Sequence, residues 1–79
     1  MNTLELYGTA SCPYTAQLRE DLEFRHERFV EYDVENDPEA LVRMLELCEG
    51  NHTVPVLVSN GMVVQVGYEG RGCFAGLRS

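Results

Sequence analysis

The chain has 79 residues, 44% of them hydrophobic, which predicts one small folded domain over residues 1–79 rather than a disordered segment. Thirteen acids against six bases leave a net charge of −7, which argues against the basic stripe of a nucleic-acid binder and disfavours an anionic membrane surface. The three cysteines Cys12, Cys48 and Cys73 are an odd set, Asn2, Thr3 and Glu5 interrupt any apolar leader, and no stretch would span a bilayer, so a reducing, cytoplasmic setting is expected.

Leu4 and Leu6, with Thr3, Glu5 and Tyr7 around them, predict a first strand ended by Gly8. Pro13 suits the first turn of a helix, where its missing N–H costs nothing, and Tyr14, Leu18, Leu22 and Arg25 recur at helical spacing as its stripe. Phe29, Val30, Tyr32 and Val34 predict the second strand. Asp37-Pro38-Glu39 reads as a capping side chain followed by proline at the first helical position; Leu41, Met44, Leu45 and Cys48 give that helix its buried stripe, and Gly50 ends it. Val54, Val56, Leu57 and Val58 predict a third strand, Asn60-Gly61 a two-residue hairpin turn, and Met62, Val63, Val64 and Val66 the returning fourth strand. From Gly67 onward the chain is glycine-rich, with room for one short helix at most.

The order β-α-β-α-β-β predicts an α/β fold. Strands joined through a helix are expected to be parallel and the final hairpin antiparallel, giving a mixed four-stranded sheet with helices on its faces. Sites in such sheets lie beyond the carboxyl ends of the strands, which is where Cys12 falls, in Ser11-Cys12-Pro13-Tyr14-Thr15. A helix N-terminus offers unpaired N–H groups and a positive dipole end, which favour a thiolate over a thiol. Cys12 is therefore read as a reactive, solvent-facing thiol.

Three pieces of the sequence together resemble the glutaredoxins, a branch of the thioredoxin fold, over roughly residues 3–70. They are Cys12-Pro13-Tyr14-Thr15 in place of a Cys-Pro-Tyr-Cys dithiol, Thr53-Val54-Pro55 as the loop whose cis proline faces the cysteine, and Val66-Gly67-Tyr68-Glu69 as the family's glycine-aromatic-acid turn. Gly70-Arg71-Gly72-Cys73 is similar to a group of short glutaredoxin-like proteins in which the place of Cys12 is sometimes selenocysteine. The resemblance implies a glutaredoxin fold with a short or missing C-terminal helix, Cys12 as nucleophile, and Thr15 offering its hydroxyl to the sulfur. Tyr14 would flank the bound thiol compound, and Thr53, Val54 and cis Pro55 would pair with the cysteine of glutathione in strand fashion. Gly67, Tyr68 and Glu69 would lie near its γ-glutamyl end. Departures are also present: Thr9 stands where many relatives have lysine, and Gly70 replaces the second acid of the turn.

The implied activity is a cytoplasmic thiol–disulfide oxidoreductase serving redox homeostasis and electron transport. It would act as a monomer on protein disulfides or glutathione mixed disulfides, with glutathione as cosubstrate and neither a metal, a nucleic acid nor a membrane as partner. Cys73, flanked by Gly70, Gly72 and Gly76, is read as the thiol that resolves the mixed disulfide, the other reading being a small packed or exposed residue. Cys48 is read as core. His26 is expected at a helix C-terminus and His52 in the loop before Pro55, the latter being an alternative supplier of the missing lysine's charge, a task for which Arg71 is the better candidate. Arg43 is expected on an exposed helix face; Met44 and Met62 are read as core. The alternative function is a [2Fe–2S] carrier of the single-cysteine type, with Cys12 and glutathione as ligands shared between two copies. An electron acceptor for a thioredoxin reductase and a binding module with an inert cysteine complete the readings.

Overall fold

The computed structural model describes residues 4–75. The elements run β1 (Leu4–Gly8), α1 (Pro13–Phe24), β2 (Phe29–Asp33), α2 (Pro38–Leu47), β3 (Thr53–Val54), β4 (Val56–Ser59), β5 (Met62–Val66) and β6 (Cys73–Phe74). A four-stranded sheet has the order β2-β1-β4-β5, and β3 and β6 form a separate two-stranded ribbon. The fold is thus the mixed α/β sheet with two helices that the element order implies. Among the described residues no helix is long and apolar enough to cross a membrane.

Strand alternation divides the core. Leu6 and Leu57, cross-strand partners, point to one face and bury Leu18 and Leu22 of α1. Tyr7, Val56 and Val58 point to the other, against Ala40, Leu41 and Met44 of α2. Twelve residues of helix are marginal alone in water, so this packing holds α1, each buried leucine contributing about 2 kcal/mol. The stripe of α1 is Thr15, Leu18 and Leu22 rather than one running from Tyr14 to Arg25. Thr15 fits because Gly8 has no Cβ: a side-chain carbon there would overlap Thr15. Arg25 is outside, paired to Asp21 Oδ2 at 2.7 Å.

Other expectations change at the tertiary level. β1 and β2 are parallel, but β4 is antiparallel to β1, with Tyr7 opposite Val56. Ten residues of α2 climb only about 15 Å, and the extended stretch after it is long enough to return the chain to the end it left. The expected third strand is two strands, β3 and β4, separated at Pro55, which follows a cis Val54–Pro55 bond and has no N–H to give a ladder. Asn60 and Gly61 take positive φ (52° and 81°), as a primed two-residue hairpin requires. β5 is the sheet edge, and Met62 on it is 71% exposed, not core. Residues 67–75 form no helix; their regular part is β6.

Both helices end on a left-handed residue that is not glycine. After α1, His26 (φ 61°) donates to Glu23 O at 3.0 Å and Glu27 to Leu22 O at 3.0 Å. After α2, Glu49 (φ 56°) takes that place and Gly50 N–H reaches back to Leu45 O at 2.8 Å, so the terminating conformation belongs to Glu49 as well as Gly50. An L-residue there costs about 1 kcal/mol against glycine. Replacing Glu49 by glycine, which also removes a negative charge from a helix C-terminus, is expected to raise stability by about 1 kcal/mol. A urea titration checks this; an unchanged or lower midpoint contradicts it.

Candidate redox site

β1 delivers the chain to a turn in which Cys12 N–H donates to Thr9 O at 3.3 Å. Cys12 is the cap residue of α1, extended at φ −87° and ψ 117°, with proline at the first helical position, and its carbonyl accepts from Ala16 N–H at 3.3 Å. The first turn of α1 carries no acid, so no like charge there opposes an anionic sulfur. Thr9 is 4% exposed. A lysine would be desolvated at that depth, which accounts for an uncharged residue in that place.

Cys73 lies 61 residues further on, yet its Cα is 6.0 Å from that of Cys12 and the two form a disulfide. Cys12 is 2% exposed, which corrects the expectation of a solvent-facing thiol: β6 and the sulfur of Cys73 cover it. Cys73 itself is only half-buried.

β6 is held antiparallel on β3, with Thr53 opposite Phe74 and Val54 opposite Cys73. Ala75 N–H donates to His52 O at 2.8 Å. Hydrogen-bonded pairs alternate along an antiparallel ladder, so Val54 and Cys73 form the next bonded pair. The His52 ring adds to this clamp. Its Nδ1–H donates to Ala75 O at 2.8 Å, and the ring stacks on Phe74 with centroids 5.0 Å apart. Upstream, Gly67 N–H donates to Pro55 O at 2.6 Å. Tyr68 and Arg71 then pair about Glu69 and Gly70, both with positive φ (52° and 78°), and this tight turn aims Gly72 and Cys73 along β3.

The predicted site residues therefore separate into two groups. Cys12, Cys73, Thr53, Val54, cis Pro55 and the backbone of Gly67 meet at one end of the sheet, and half-buried Tyr14 packs on the same cluster as Cys12. Thr15 is fully buried beneath Gly8, and its Oγ1 accepts from Thr9 N–H at 3.5 Å, in the turn before Cys12. Tyr68 packs against the cluster of Leu6, Leu18, Leu22 and Leu57, and Tyr68 and Glu69 line a hollow with Gln17, Glu20, Asp21 and Phe24, well along α1 from Cys12. Burial and the charge of Asp21 push the Tyr68 hydroxyl pKa up. Cys48 is a free, half-buried thiol at the end of α2, and burial pushes its pKa up. Arg43 is exposed as expected, with its guanidinium over the Tyr32 ring and donating to the Tyr7 hydroxyl at 3.4 Å. The sequence reading missed Gly72, Phe74, Ala75 and the clamp made by His52. The available signal was Glu69-Gly70, which can form a hairpin turn like Asn60-Gly61.

Comparisons with known proteins place this geometry. The family model described as Glutaredoxin matches residues 4–64. No curated protein matches the sequence. The crystal structure of a variant of the thioredoxin-like protein BC3987 superposes with a TM-score of 0.73 at 29% identity, covering 84% of this chain and 82% of that one. Glutaredoxin 1 from Francisella tularensis, crystallised with cacodylate, gives a TM-score of 0.64 at 16% identity, covering 86% and 85%.

Proposed function

The chain belongs to the glutaredoxin family, and from that premise we propose that it reduces disulfides through Cys12, with Cys73 as the resolving thiol and glutathione as the cosubstrate that returns it to the dithiol. The observation that carries this reading is the juxtaposition of Cys12, at the start of α1, with Cys73 on the edge of β3.

The exchange runs in balanced steps. The Cys12 thiolate attacks one sulfur of a substrate disulfide; that bond breaks, a Cys12 mixed disulfide forms, and the departing thiolate takes a proton from solvent. The Cys73 thiolate then attacks the Cys12 sulfur, the mixed disulfide breaks, and the second substrate thiolate leaves. The substrate has gained two electrons and the protein has lost them as the Cys12–Cys73 bond. Two thiols of glutathione, attacking in turn, take up that oxidation as glutathione disulfide. The N-terminus of α1 stabilises the anionic sulfur whenever Cys12 attacks or leaves. A [2Fe–2S] role would require Cys12 to bind iron instead of Cys73, and the disulfide favours exchange over that alternative. The work of such a reductase belongs in a reducing compartment such as the cytoplasm.

Alkylation of the reduced protein, read site by site by mass spectrometry across pH, tests the proposal. Cys12 is expected to react with a midpoint below the ordinary cysteine value of about 8.5, whereas the rate at Cys48 rises only at higher pH because burial disfavours its thiolate. A Cys12 midpoint no lower than the ordinary cysteine value of about 8.5 overturns the assignment.

A further inference from the structure

β6 is placed as a bound peptide would be. It is a two-residue extended segment on an otherwise open strand edge, in register through Val54, with its cysteine bonded to Cys12. The residue before that cysteine is under an unusual restriction. A Cβ on Gly72 would stand 2.6 Å from Thr53 Cγ2 and 2.7 Å from the backbone oxygen of Val54. The Thr53 side chain can move, but the carbonyl is fixed by the ladder, so only an unbranched carbon fits. Gly72 does not have a positive φ, so the restriction is one of space. On the other side of Cys73, Phe74 is 75% exposed and touches the site by stacking on His52, which leaves the following position permissive.

We propose that Gly72-Cys73-Phe74 is a tethered stand-in for the substrate: β6 and the cysteine segment of the substrate compete for the same Thr53–Val54 edge, and that edge accepts a cysteine only when an unbranched carbon precedes it. This rests on the reading of Cys12 as the attacking thiol. Two sources satisfy the same chemistry. Glycine presents a CH2 before the cysteine, and so does a γ-glutamyl group, whose carbonyl is attached to an unsubstituted methylene. When Cys73 closes on Cys12, its strand takes the ladder positions the substrate held, so forming the new disulfide and expelling the reduced product become one event. While the disulfide stands, Val54 is already paired and a second thiol peptide finds no edge to dock on.

The test uses the full chain carrying Cys73→Ser, which keeps β6 but cannot resolve. Its reduced form is equilibrated with the disulfides of acetyl-Gly-Cys-Phe-amide, acetyl-Ala-Cys-Phe-amide and glutathione, and the adduct on Cys12 is quantified by mass spectrometry. The glycyl peptide and glutathione are expected to form the adduct with equilibrium constants about tenfold or more above the alanyl peptide, the size set by overpacking against fixed backbone. Adding Gly72→Ala to the same variant weakens the internal strand and is expected to raise adduct formation with the glycyl peptide several-fold. A difference between glycyl peptide and glutathione identifies which source the edge prefers. Equal constants for the glycyl and alanyl peptides overturn the inference while leaving Cys12 as a nucleophile. No adduct on Cys12 with any of the three overturns the parent reading and this one with it.

Discussion

Replacing Cys12 by serine is expected to lower disulfide reduction by roughly a thousandfold or more, because the attacking atom itself is removed and a serine hydroxyl is not ionised at neutral pH. Replacing Cys73 by serine has a different signature. The first attack survives, and the protein accumulates one substrate equivalent as a mixed disulfide on Cys12 instead of turning over through an internal disulfide. The two variants, assayed with a chromogenic disulfide and then by mass spectrometry, separate the roles. Retention of a tenth of the activity in the Cys12→Ser protein would assign the chemistry elsewhere, with Cys48 and the unpaired Cys73 the remaining thiols. An unaltered course of reaction in the Cys73→Ser protein would reduce Cys73 to a packing residue.

Reducing the Cys12–Cys73 bond is expected to lower the thermal midpoint by about 15–30 °C. The bridge closes a loop across a sequence separation of 61, and the chain-entropy model gives a loop of that length about 4 kcal/mol of stabilisation. In a domain of this size each kcal/mol moves the midpoint by about 4–8 °C. Differential scanning with and without reductant measures it, and the Cys73→Ser protein, which has no such bridge, is the control that reductant should leave in place. A fall of less than about 3 °C would mean that β6 leaves the Thr53–Val54 edge on reduction, the native state regaining much of the freedom that the bridge removes from the unfolded chain. That outcome bears on the competition proposed for the Val54 edge. A strand held by its ladder alone stays in the way of substrate, whereas one held by the disulfide clears the edge once the bond is reduced.

The burial of Cys12 links these results. At 2% exposure its sulfur meets no disulfide until β6 moves. Reactivity in solution therefore depends on two separable quantities: the ionisation of the thiol, set by the first turn of α1, and the opening of the covering strand, set by the few contacts β6 makes. The pH profile of alkylation reads the first and the Gly72→Ala variant reads the second.

Much was legible in local sequence, because the relevant physics acts within a few residues. Gly8 ends β1, Pro13 opens α1, Asp37 caps α2 by accepting from Ala40 N–H at 3.2 Å, and Asn60-Gly61 turns the last hairpin; each is a backbone preference with a near neighbour. These fixed the element order and placed one cysteine at a helix start beyond the end of a strand. The tertiary structure alone decided the rest. That β4 runs against β1, that Met62 is outside, that Thr15 turns under Gly8, and that Cys73 sits opposite Val54 all depend on pairings between distant segments. Two residues of strand between Gly72 and Ala75 have no periodicity to read, and the ladder that orders them is supplied by a partner some twenty residues away.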